Sequence, residues 1–245
     1  MITLQLAELA IYIPECIPLF ETYGFDFYQN GNQTLKEACD EKGLSFADID
    51  QELSKLQRCQ GHGFTMEDMD PGLLINTING QHHDNEAETL ATIHDAIQNL
   101  IAASPAGLEH LQVLCTIDQQ FGALKEKLLS HCGKEDKLLF PQIRTLLVLQ
   151  KEKSPLFQEA VLKTVGLIKT LELEHTQAVH VLKEIKQALA HLDTAPEVLP
   201  AYQHLMAEFK AFEAGFHLHI HIENNVLFPK IKDMSDQFKL QRLSL

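Results

Sequence analysis

What this chain lacks narrows its function before any motif is read. It has no surplus of positive charge: 34 Asp+Glu stand against 20 Lys+Arg, a formal net charge of -14, and no Lys/Arg cluster relieves the balance locally. Such a surface repels phosphate backbones and anionic lipid, so neither nucleic acid nor a membrane surface is expected as a partner. It has no cysteine framework either. The five cysteines (Cys16, Cys39, Cys59, Cys115, Cys132) are odd in number, scattered, and without a C-x-x-C. That argues against disulfides and zinc knuckles and fits a reducing cytosol. No run approaches the ~20 apolar residues of a membrane span. The apolar opening MITLQLAELAIYIPECIPLF lacks a basic start and is broken by Glu8, Pro14, Glu15 and Pro18, which argues against a secretory signal.

What is present is one stretch, twice. HCGKEDKLLFPQI (131–143) and HIHIENNVLFPKI (219–231) share His, then Glu four residues on, an aliphatic, and Leu-Phe-Pro-x-Ile, in register and without a gap. On a helix a spacing of four places His and Glu one above the other on the same face. A Glu four residues after a His occurs five times here, at His82, His131, His180, His204 and His219, so the pair alone means little. The shared extension makes the signal and indicates an internal duplication of a helical hairpin.

Single histidines extend the duplication: His83 lies 48 residues before His131, and His175 lies 44 before His219. Antiparallel helices carrying these residues at one level must reverse about midway between them. The sequence there reads SPAG (104–107), SP (154–155) and DTAPEVLP (193–200), which are helix breakers, caps and first-turn prolines.

With 245 residues the chain can bury a sizeable core and add a small second domain. We read residues 1–56 as a small helical domain, with Gly24 and Gly43 as helix ends, TLKEACDEKG as a helix, and Ser45 opening another. Residues 57–70 read as a linker and 71–245 as a helical bundle opened by the cap Asp70-Pro71. Four apolar stripes follow: Ile75, Ile78, His83, Ala87, Leu90, Ile93, Ile97, Leu100; Leu111, Leu114, Ile117, Phe121, Leu124, Leu128, His131, Glu135, Leu138; Val161, Val165, Ile168, Leu171, His175, Ala178, Leu182, Ile185, Leu189, starting from Ser154-Pro155; and Leu205, Phe209, Phe212, Phe216, His219, Glu223, Val226. Their steps alternate between three and four, the pattern of a bundle seam. Pro141 and Pro229 are expected to end or kink their helices.

Six polar residues thus stand where the pattern demands core: His83, His131, Glu135, His175, His219 and Glu223. Taken singly, each histidine could be a hydrogen-bonded core residue and each Glu could face out. Taken together they need cations, because an unpaired buried carboxylate costs several kcal/mol or takes a proton. Imidazole and carboxylate without thiolate suit iron, manganese or zinc. Six such ligands from four helices suit a two-metal site, for which iron leads.

The H…HxxxE…H…HxxxE order with LFP after each Glu, the segment IENNVLFP, and the opening LAELA…IP…LF…YGFDF…QTLKEAC resemble the di-iron iron-sulfur cluster repair (RIC) family over nearly the whole chain. The resemblance implies an all-α fold: a hemerythrin-like up-down-up-down four-helix bundle with a small N-terminal ScdA-type helical domain. It also implies two iron ions in an oxo- or hydroxo-bridged centre on those six residues, and repair of clusters damaged by nitric oxide or oxidants. Iron-sulfur proteins would be its clients, in the cytoplasm, for a monomer or homodimer. The alternative is a hemerythrin-like module that binds or senses oxygen, nitric oxide or iron without turnover. Oxygen-carrying hemerythrins resemble this pattern but have a further His and an Asp where this chain has Val179 and Asn224. The family's N-terminal cysteine pair is replaced by Tyr28 and Gln29. His82, His217 and His221 are expected on solvated faces, Cys132 facing away from the site, and Cys16 and Cys39 filling core gaps.

Overall fold

A computed structural model describes residues 3–57, 65–104, 109–192 and 199–243. Half of the 57–70 linker (58–64), and the SPAG and DTAPEVLP reversals for the most part, lie outside them. The chain is all-α, as expected: among the described residues there are helices, turns and a single isolated bridge between Gln5 and Thr34. Compactness divides it into two units, Met1–Ile75 with His217–Leu245, and Asn76–Phe216.

The first unit opens with α1 (Leu6–Tyr12), α2 (Ile17–Tyr23), α3 (Leu35–Lys42) and α4 (Phe46–Gln57). Gly24 and Gly43 close α2 and α3 at φ 65°, a left-handed conformation that suits glycine. Thr34 and Glu37 cap α3 reciprocally. Their core is Leu6, Leu9, Phe20, Phe25, Phe27, Leu35, Ile49 and Leu53, with Cys16 and Cys39 fully buried among them. The two cysteines fill core gaps as read from the sequence.

The bundle helices are interrupted. α5 (Pro71–Ile78), capped by Asp70 Oδ1 accepting from Leu73 N at 3.0 Å, passes through a π turn (Asn79–His83) into α6 (Asp84–Ala103). α7 (Glu109–Lys134) passes through a second (Glu135–Leu139) into α8 (Phe140–Lys151). α9 (Phe157–Ala190) is uninterrupted. α10 (Leu199–Ile222) passes through a third (Glu223–Leu227) into α11 (Phe228–Leu243). In the second unit α6 packs on α7, and α7 and α8 on α9. Phe121 meets Phe209 there at a ring separation of 6.4 Å.

The π turns decide one expectation and correct another. Of the two outcomes expected at Pro141 and Pro229, an ended or a kinked helix, the helix does not end. Phe140 N–H reaches back five residues to Glu135 O, and Phe228 N–H to Glu223 O, so each proline, which has no N–H to give, falls where the ladder changes register. The same extra residue rephases the stripes. Leu138 is 49% exposed and Leu139 is buried in its place, and Ala87 is exposed while Glu86 is buried. α9 starts at Phe157 rather than at Ser154-Pro155, after Ser154 Oγ accepts from Leu156 N.

Candidate metal centre

In the second unit the apolar seam of α7 runs through Leu114, Ile117, Phe121, Leu124 and Leu128 to His131, and Glu135 opens the π turn one helical turn later. His175 sits midway along α9 on the seam of Leu171, Ala178 and Leu182. His83 closes the π turn ahead of α6. Glu135 is 0% exposed, His175 1% and His131 3%.

These four side chains converge. His83 Nε2 lies 3.2 Å from Glu135 Oε2, and His131 Nε2 lies 3.0 Å from Glu135 Oε1. His175 Nε2 is 4.0 Å from that same Oε1 and 2.9 Å from His131 Nε2. The outer nitrogens face carboxylates: His83 Nδ1 lies 2.9 Å from Asp136 Oδ1, and His131 Nδ1 2.9 Å from Glu174 Oε2. Glu174 is itself paired with Lys134. The Phe140 ring stacks on His83 at 5.7 Å.

Electrostatics then sets the chemistry. A His131 ring that donates Nδ1–H to Glu174 presents an Nε2 lone pair to a carboxylate oxygen, and that approach is repulsive unless positive charge lies between them. A proton or a metal cation can supply it. Burial works against charge on His83, but hydrogen bonding and charge from Glu135, and then from Asp136, outweigh it and lift the ring to about 9. Burial likewise opposes charge on Glu174, yet Lys134 and His131 hold its carboxyl below the usual range. A cation at the Nε2 edges removes both the lone-pair conflict and the desolvation cost of Glu135, so the residues fit a metal. Glu135 offers one oxygen to the His83 side and the other to the His131–His175 side.

In the first unit His219 Nε2 stands 3.4 Å from Glu223 Oε2, with exposures of 2% and 0%. Their neighbours overturn one expectation: His217 and His221 are buried, at 6% and 0%. Tyr28 stacks on His217 at 3.8 Å with planes 10° apart, and His217 Nδ1 lies 2.8 Å from Glu21 Oε1. His221 Nδ1 approaches Phe27 O at 3.3 Å, and burial pushes this ring down to about 4 against that hydrogen bond. Asn225 Nδ2 donates to the carbonyls of Phe27 and Tyr28, each at 3.2 Å. The segment at the missing cysteine pair therefore lies on the face that periodicity alone assigns to solvent.

Cys132 is a second correction. It is 7% exposed, donates to Glu86 Oε2 at 3.0 Å, and its sulfur lies within 4.8 Å of ligand atoms of His83 and Glu135. Sequence reasoning missed Glu86, Asp136 and Glu174 as neighbours of the site. The one sequence signal for any of them was the His82–Glu86 spacing, which occurs too often to single out. His82 is half-buried rather than solvated.

A sequence profile described as Hemerythrin HHE cation binding domain matches residues 81–231, and one described as Domain of Unknown function (DUF542) matches residues 3–57. Two relatives, both named Iron-sulfur cluster repair protein YtfE, come from Escherichia coli O8 (strain IAI1) and Shigella boydii serotype 4 (strain Sb227). Each is 28% identical over 228 residues, covering 92% of this chain and 94% of the relative.

Proposed function

The chain belongs to the hemerythrin HHE cation-binding family, and from that premise we propose that it is a di-iron protein that restores iron-sulfur clusters damaged by nitric oxide or oxidants. The metal would be held by His83, His131, Glu135, His175, His219 and Glu223. The observation that carries this reading is the convergence of three imidazole Nε2 atoms on the buried Glu135 carboxylate. His219 and Glu223 enter through the repeat, which sets them at the same steps as His131 and Glu135.

Bound irons would supply one-electron chemistry and open positions for nitric oxide or oxygen. The protein's own residues prepare that position. Asp136 and Glu174 face the outer nitrogens of His83 and His131, so each ring turns its Nε2 inward. Phe140 lies against the His83 ring and covers it on that side. Damaged iron-sulfur proteins in the cytoplasm are the clients. The repair proteins resembled here match over both the amino-terminal and bundle regions, which favours repair over a module that only binds or senses gas or iron.

The test is restoration of an iron-sulfur enzyme inactivated by nitric oxide. Iron-loaded protein is expected to restore it faster than the same quantity of free ferrous iron, and the reduced protein to change its absorption spectrum on anaerobic addition of nitric oxide. Restoration no faster than free iron would overturn the repair reading.

A further inference from the structure

On the His83 side of the centre the structure places a thiol and a second buried carboxylate that the six-ligand assignment leaves unused. Cys132 follows His131 on α7, and its sulfur, a ligand nitrogen of His83 and an oxygen of Glu135 all lie within 4.8 Å of one another. Glu86, on the first turn of α6, accepts the Cys132 S–H at 3.0 Å through Oε2. Its other oxygen, Oε1, is buried without a hydrogen-bond partner, on a residue only 7% exposed.

A core cysteine that only fills space needs no carboxylate beside it, and a carboxylate that only caps a weak S–H donor is poorly compensated for the loss of water. Both oddities are eased by a cation held between Cys132, His83 and Glu135, whose ligand atoms lie within 4.8 Å of one another, with Glu86 behind the sulfur to take up the thiol proton. Ligand atoms around a tetrahedral cation stand about 3.4–3.6 Å apart, so side-chain shifts of about an ångström close the shell. One nitrogen, one sulfur and carboxylate oxygens form a donor set suited to zinc or iron(II) rather than to a hard cation such as magnesium.

We propose that Cys132 completes a mixed sulfur, nitrogen and oxygen site with His83 and Glu135, backed by Glu86 at the sulfur, which binds a thiolate-preferring divalent cation. When the cation enters, the Cys132 S–H bond breaks, a sulfur–metal bond forms, and the proton passes to Glu86 Oε2, which already faces it. The metal keeps its charge, and no electron is transferred. The two copies of the repeat then differ in chemistry, because the residue after His219 is Ile220 and offers no ligand. The inference rests on the metal-centre reading above and deepens it.

The experiment uses the full chain, stripped of metal and titrated anaerobically with cobalt(II). Wild type is expected to develop a near-ultraviolet thiolate-to-cobalt charge-transfer band that Cys132→Ser lacks and that a Cys59→Ser/Cys115→Ser variant keeps. Glu86→Gln should need about 10–100-fold more cobalt for the same band. X-ray absorption at the cobalt edge of wild type reads the contact without a mutation and should detect a sulfur scatterer. Cobalt bound with nitrogen and oxygen scatterers only, or a band that survives in Cys132→Ser, overturns the sulfur site and leaves the metal-centre reading standing. No cobalt bound at all overturns the metal-centre reading and the sulfur site with it.

Discussion

The two copies of the repeat share an inner face and differ on the outer one. Inside, each has a His and a Glu in contact, at 3.0 Å in 131–143 and 3.4 Å in 219–231, and each Glu opens a π turn. Outside, Asp136, Lys137 and Leu138 of the first copy are exposed. In the second copy Asn225 donates to the carbonyls of Phe27 and Tyr28, and the flanking His217 and His221 lie against the amino-terminal segment. Duplication thus preserved the pair that faces the core and freed the rest to diverge. One copy kept a solvated surface, and the other became a floor for the small helical region.

The comparison breaks most visibly at the carboxylates. Glu135→Ala and Glu223→Ala are each expected to damage binding of both metals, read by metal analysis of the purified proteins. A variant of either kind that retains two tightly bound irons would show that its carboxylate does not bridge. A smaller effect tests the floor. Phe27 is fully buried and meets Phe20 and His221 at ring separations of 5.9 and 5.4 Å, so Phe27→Ala should cost about 3–5 kcal/mol in denaturant unfolding. A loss below about 1 kcal/mol would mean the cover contributes little packing. The finest test sets equivalent outer positions side by side. Asn225→Ala should cost about 1–3 kcal/mol through the two hydrogen bonds it loses, at about 0.5–1.5 kcal/mol each, whereas Lys137→Ala, at the matching step of the exposed copy, should stay within about 0.5 kcal/mol. Equal effects would erase the distinction between the two outer faces.

The helical stripes, the cap at Asp70 and the glycine helix ends were legible because each is a local matter of spacing or dihedral preference. The same holds for the burial of His131, Glu135, His175, His219 and Glu223. The phase changes at Leu139 and Glu86 were not legible, since a stripe read at a constant 3.6 residues per turn contains no place for an inserted residue. His217 and His221 were misplaced for a different reason. Their cover comes from Glu21, Phe27 and Tyr28, some 190 positions earlier in the chain (|i−j| 196 and 194 for the hydrogen-bonded pairs), and helical periodicity carries no information about a partner that distant. Cys132 was misread because a position about 100° round from His131 was taken to leave the site, although His83 and Glu86 approach from that side.

The π turns also have a consequence for inheritance. Each is a helix carrying one codon more than its pitch requires, so losing a codon there lets the helix return to regular winding with its buried residues still in phase. In the two repeats that route is obstructed by their own prolines. Regular winding would press Pro141 or Pro229 against the preceding turn at about 3 kcal/mol, so deletion of Lys137 should weaken folding markedly. The turn Asn79–His83 has no proline behind it, and its Gly80 and Gln81 are exposed. Loss of either codon should be far better tolerated, which makes the first helix the place where this architecture can shed its irregularity and the duplicated motif the place where it is retained.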